Sequence, residues 1–237
     1  MVTIPGMKTL RLDVWSDIAC PWCYIGKRHL EKALEIFPHR DAVEIVWRAF
    51  ELDPSAPQLA DPAISYAERL ATKYRMDVQT AQGRIDQMTA VAAKDGLDFR
   101  FDRVRPGNTF DAHRLLHWAH EQHKQDALKE RLLRAYMTEG QAMSDREGLV
   151  RLAKEVDLDE AAAREVLSAD TYAKEVRADE SLAGELGISG VPFFVMGGRL
   201  GVSGAQPAEV LLGALEHAWN NHAVEVPEGA VCGPDGC

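Results

Sequence analysis

A chain of 237 residues is long enough to bury a sizeable core, either as one large domain with an insertion or as two small ones, and does not need disulfides to fold. Its formal net charge of −10 excludes the clustered positive surface that nucleic acid or an anionic membrane would require, so neither is an expected partner. The sequence has no signal-like apolar run near its start and nowhere about 18 uninterrupted apolar residues, which predicts a cytoplasmic protein. In a reducing cytosol its four cysteines read as catalytic, sensing or metal-binding.

Leu10, Leu12 and Val14 alternate with Arg11, Asp13 and Trp15, the period of a strand. A helix is predicted from Pro21 to Phe37: Pro21 suits a first turn, Ile25, Leu30, Ala33, Leu34 and Phe37 form a stripe, and Pro38 stops it. Val43, Ile45 and Trp47 alternate again, completing a β-α-β unit. From about Asp53 to Leu186 the pattern is helical throughout, with room for five or six helices, among them "DAHRLLHWAHEQH" and "ALKERLLRAYMTEG". Phe193 to Met196, a Gly197-Gly198 turn and Leu200 to Ser203 then read as a hairpin, and Pro207 opens a last helix through Trp219.

Two cysteines stand one helical turn apart in "CPWC", where the first strand gives way to the first helix. A thiolate is the attacking species in disulfide exchange, and the start of a helix favours one through unpaired N–H groups and the positive end of its dipole. Cys20 is therefore the expected nucleophile, and Cys23 the thiol that resolves a mixed disulfide. Pro21 and Trp22 supply no cation between them, and Asp17 adds an opposing charge. A reducing potential is expected, nearer the roughly −270 mV of thioredoxin than the roughly −120 mV of DsbA. Trp22, beside the nucleophile, is either a packed ring or an apolar substrate contact.

His113, His117 and His120 fall on one helical face, but without the HExxH pattern of a zinc site, and neither a metal nor a cofactor is expected. The glycines of "GGRLGVSG" lie in a hairpin and do not open a dinucleotide-binding helix. Cys232 and Cys237 bracket strong turn chemistry in "CGPDGC", which leaves three readings: a second redox pair exchanging with Cys20 and Cys23, a local bridge, or a zinc site.

The stretches "SDIACPWCYIGKRHLEKAL", "NTFDAHRLLHWA" and "GISGVPFFV" resemble the FrnE-type branch of the DsbA family, within the thioredoxin-like superfamily, over nearly the whole chain to about residue 220. The resemblance implies an α/β, thioredoxin-like fold with a large all-helical insertion. Residues 1–52 and 187–222 would form the catalytic domain, 53–186 the insertion, and 223–237 a tail carrying the second cysteine pair. It further implies a cis bond at Val191-Pro192, with Val191 offering its backbone to an extended substrate, and a lid or substrate-contact role for Asn108 and His113.

The implied activity is thiol-disulfide oxidoreduction on disulfide-bearing or thiol proteins. Isomerisation of wrong bridges in oxidatively damaged proteins would be an added activity, and glutathione or a thioredoxin system would recycle the enzyme. Two alternatives stand beside it. One is a glutathione-dependent small-molecule enzyme resembling 2-hydroxychromene-2-carboxylate isomerases or kappa-class glutathione transferases, against which the intact first cysteine counts, since those isomerases typically carry serine there. The other is a metal-binding or redox-sensing module using all four thiols, against which the implied cis-proline beside the dithiol counts.

Overall fold

The computed structural model describes residues 8–225, so the predicted tail pair Cys232 and Cys237 lies outside the described residues. Strand β1 (Lys8–Ser16) runs into helix α1 (Pro21–Ile36), and β2 (Val43–Ala49) returns parallel to β1, with Leu10 opposite Val43 and Ser16 opposite Ala49. Proline at the first helical position starts α1 without losing a useful donor, and extended backbone at Phe37, just before Pro38, ends it. The hairpin strands β3 (Phe193–Met196) and β4 (Leu200–Ser203) follow the helical block, and Gly197 and Gly198 turn between them at positive φ. β3 lies antiparallel to β1 on the side away from β2, giving the strand order β2-β1-β3-β4.

Alternation along the strands builds three layers. Leu10, Leu12, Val14, Phe194 and Met196 face Leu30 and Ala33 of α1 and Leu211, Leu215 and Ala218 of α9 (Ala208–His222). Trp15 and Val195 face the opposite way, toward Ala183 of α8 (Ala173–Glu185). Between β2 and β3 the described chain contains no strand. Seven helices occupy that stretch: α2 (Tyr66–Tyr74), α3 (Val78–Lys94), α4 (Phe110–Glu121), α5 (Gln125–Arg134), α6 (Arg146–Lys154), α7 (Glu160–Ser168) and α8.

That is more than the five or six expected. The extra helices, α7 and α8, each bury only three side chains, Ala163, Val166 and Leu167 in one and Val176, Asp179 and Ala183 in the other, so their stripe is faint in a sequence. The expected start of the tail also shifts: Val224 and Glu225 form a short strand, β5, antiparallel to Thr9 and Lys8. No described helix is long and apolar enough to cross a membrane.

The block docks closely on the sheet layers. Ile18, Tyr24 and Ile25 join a single apolar core with Leu115, Leu116, Leu128, Leu132 and other side chains of the block. At the edge of the sheet, the Gln125 carboxamide meets both backbone groups of Trp47: Trp47 N–H donates to Oε1 at 2.9 Å, and Nε2 donates to the Trp47 carbonyl at 2.9 Å. Ala49 N–H, further along the same edge, donates to Asp179 at 2.9 Å.

Candidate active site

The turn from β1 into α1 sets the dithiol. Cys20 N–H donates to the Asp17 carbonyl at 3.3 Å, Cys20 takes the N-cap position, and Cys23 N–H donates back to the Cys20 carbonyl at 3.0 Å. Both cysteines are free thiols; Cys20 is 4% exposed and Cys23 0%, while Trp22 between them is 42% exposed. Pro21 is buried at the head of the helix. The Val191-Pro192 bond is cis, as the resemblance implies, and the Cys20 thiol points at the Val191 carbonyl, 3.5 Å from it. Gly26 allows this approach, because a Cβ there would stand 2.9 Å from Pro192 Cγ.

Behind the sulfurs lies a pocket of buried polar groups. The Ser16 hydroxyl is fully buried and has no hydrogen-bond partner among the described residues. Lys129 of α5, 0% exposed, donates from Nζ to the Ser16 carbonyl at 3.2 Å. Asp17 accepts from Leu52 N–H at 2.8 Å and Ala19 N–H at 3.3 Å, and His113 Nε2 lies 3.3 Å from its Oδ1.

Charge in this pocket follows from those contacts. The hydrogen bond shared with Cys23, then burial and the Asp17 charge, push the Cys20 pKa well above that of an ordinary thiol. Burial also opposes a charged Cys23, but the hydrogen bond shared with Cys20 and the Lys129 ammonium overcome it and hold Cys23 below the ordinary value. Burial lowers Lys129 to about 8 even though Cys23 and Asp17 pull it up. Burial likewise keeps His113 below its ordinary value, while Asp17, despite burial, is held low by His113 and by Leu52 N–H.

The residues suggested for a lid sit elsewhere. His113 is buried against Asp17 and cannot reach a substrate directly, which corrects the expected contact role; it supports the turn before Cys20. Asn108 is half-buried with both ends of its amide engaged, Nδ2 donating to Glu51 at 3.1 Å and Oδ1 accepting from Phe110 N–H at 2.9 Å, so it anchors the start of α4. His117 pairs with Asp179 at 3.0 Å, and His120 is exposed. The residues the sequence reading missed are Ser16 and Lys129. Lys129 had a signal: it falls on the buried stripe of α5 with Leu128, Leu132 and Leu133, where a solvated lysine has no place.

A strand-to-helix dithiol beside a cis-proline, on a sheet of this order, is matched over residues 11–216 by the family model of the DSBA-like thioredoxin domain. The chain belongs to that family. At this level its chemistry is thiol-disulfide oxidoreduction on a thioredoxin-like fold. A crystal structure of a probable DsbA oxidoreductase from Streptomyces coelicolor is 45% identical, with a TM-score of 0.84, and the match covers 96% of this chain and 98% of that one. An uncharacterized protein of Bacillus subtilis (strain 168), YwbO, is 30% identical over 209 residues, 87% of this chain and 96% of its own length. A 2-hydroxychromene-2-carboxylate isomerase structure shares the fold with a TM-score of 0.63 at 18% identity, over 87% of this chain and 95% of that one.

Proposed function

We propose that this DSBA-like protein is a FrnE-type oxidoreductase that exchanges disulfides with protein substrates through Cys20 and Cys23. The observation that carries the reading is the Cys20 thiol at the start of α1, 3.5 Å from the Val191 carbonyl and flanked by the exposed Trp22 ring. An extended substrate strand laid along Val191 brings its sulfur to Cys20, while Trp22 offers an apolar face to the neighbouring side chain. Cys20 attacks as its thiolate, forming a mixed disulfide and expelling one substrate thiolate, and the Cys23 thiolate then attacks the Cys20 sulfur, closing the Cys20–Cys23 disulfide and releasing the second substrate thiolate.

The raised Cys20 pKa and the cation-free Pro-Trp spacer favour a reducing or isomerising enzyme over a strong oxidant. The reading includes repair of wrong bridges in a reducing cytoplasm, recycling by glutathione or a thioredoxin system, and electron exchange between Cys232-Cys237 and the active dithiol. Nothing in the site favours the glutathione-dependent isomerase alternative, whose support is a shared fold alone.

Insulin reduction with dithiothreitol and reactivation of scrambled ribonuclease test the reading. Both activities are expected in the parent and absent in Cys20→Ser, while Cys23→Ser accumulates mixed disulfides seen by mass spectrometry. Full activity of Cys20→Ser overturns it.

A further inference from the structure

Pro192 is held by a short strap, residues 204–206, that joins β4 to α9. Gly204 N–H donates to the Pro192 carbonyl at 2.9 Å, Gln206 N–H folds back on the Gly204 carbonyl at 2.8 Å, and Ala205 packs against the core of the helical block. Helix α1 meets this assembly at two points of one face. Gly26 lies against Pro192, and one turn later His29 Nδ1 meets the Gln206 carbonyl at 2.8 Å. The other ring nitrogen, Nε2, stands 3.0 Å from Oδ2 of Asp95, the residue that caps the end of α3. One side chain thus ties together the strap, the first helix and the inserted block.

A carbonyl can only accept, and so can an ionised carboxylate, so the ring serves both partners only as an imidazolium with a proton on each nitrogen. Burial opposes a charge on Asp95, but Lys32, whose Nζ donates to Oδ1 at 2.6 Å, and His29 overcome it and hold its carboxyl below the ordinary value. Of the neighbouring elements, α1 also carries Arg28 and Lys32, α3 places Lys94 before Asp95, and α9 has the exposed Glu209 in its first turn. Among the described residues only Asp95 forms an ion pair with His29, and Arg28 is occupied by Glu31 and Glu130. When the ring loses one proton, the Gln206 carbonyl keeps the other on Nδ1. Nε2 then turns a lone pair toward the Asp95 carboxylate, and that arm opens.

We propose that His29 is a positioning residue for substrate binding: as an imidazolium it clasps the 204–206 strap, and with it the Val191-Pro192 segment, onto α1 and Asp95, and it loosens that segment as pH rises. The inference rests on the thiol-exchange reading above and gives its substrate-binding edge a pH-sensitive support. Both ring nitrogens are spent on the strap and the block. The effect of His29 therefore falls on how firmly a substrate strand is held along Val191, on KM more than on kcat.

Variants of the full chain, assayed on an unfolded peptide that carries a disulfide, separate the two arms. His29→Leu loses both and is expected to raise KM about fivefold or more in mildly acidic buffer, with kcat changed less than about twofold. In His29→Asn the amide nitrogen falls where Nδ1 stood, so the strap is kept and only the Asp95 arm is lost. Its KM should lie between those of the parent and His29→Leu, and the ratio of its KM to the parent's should fall toward one as pH is raised from about 5.5 to 9. That fall should follow the loss of the second ring proton, seen in the parent by nitrogen NMR of His29.

A KM unchanged in His29→Leu, a fall confined to kcat, or a ratio for His29→Asn that stays flat with pH overturns the proposal. So does a His29 ring that carries no proton on Nδ1. Should the His29 variants not fold, Asp95→Asn decides: its KM relative to the parent's is expected to show the same decline with pH, and a flat ratio overturns the clasp. Failure of the parent to turn over the peptide disulfide overturns thiol exchange itself.

Discussion

Lys27 and Lys129 approach the same indole, their ammonium groups 5.9 and 5.5 Å from the Trp47 ring centre, and both are buried, yet their surroundings are opposite. Lys27 lies in the seam between α1 and α5 with Glu31 at 2.5 Å, Asp126 at 3.3 Å and Glu130 at 3.4 Å. Burial pushes its pKa down, but Asp126, Glu31 and Glu130 overcome that and hold it above the ordinary lysine value. Lys129, without such partners, titrates near 8. Burial alone does not decide whether a lysine is an inert strut or a group ready to answer a new charge; the number of carboxylates left within reach decides it.

The sharpest way to test this contrast is pH. An unfolded lysine titrates near 10.5, so between about 8 and 10.5 the unfolded chain holds a proton that folded Lys129 has lost, and folding stability rises with pH across that window. Urea unfolding of the parent against Lys129→Met should therefore shift in the parent's favour by up to about 3 kcal/mol from pH 7.5 to 10.5. A difference that stays flat would mean that Lys129 is compensated after all.

Lys27→Met breaks the other side of the comparison. It should cost about 1–2 kcal/mol at pH 7, discounted because its three partners still reach water, and the loss should shrink in high salt. The smallest effect is the coupling between the two sites. Since Lys27 pushes Lys129 down, the double variant should depart from additivity by only about 0.5 kcal/mol in a double-mutant cycle.

The same contrast explains what was legible in the sequence. β1, α1 and the hairpin could be read because each carries its own signal: alternation through Leu10, Leu12 and Val14, a stripe closed by Pro38, and paired glycines at 197 and 198. The dithiol could be read from its spacing and its place at a strand-to-helix junction. The cis bond at Val191-Pro192 came from family resemblance, because no local pattern distinguishes it from an ordinary proline. The buried parts played by His113 and Lys129 depend on which helix faces docks against β1 and β2, and one charged residue in "ALKERLLRAYMTEG" reads as solvated until that docking is known.

The Gln125 amide has a further consequence. By meeting both the N–H and the carbonyl of Trp47, it stands where the peptide group of an additional strand would stand, while Asp179 takes Ala49 N–H further along the same margin. A foreign chain can extend the sheet there only by evicting both side chains, so this border is protected against the intermolecular zippering that leads unguarded sheets into aggregates. On the proposed reading, a substrate strand laid along Val191 finds the far margin of the sheet closed to it.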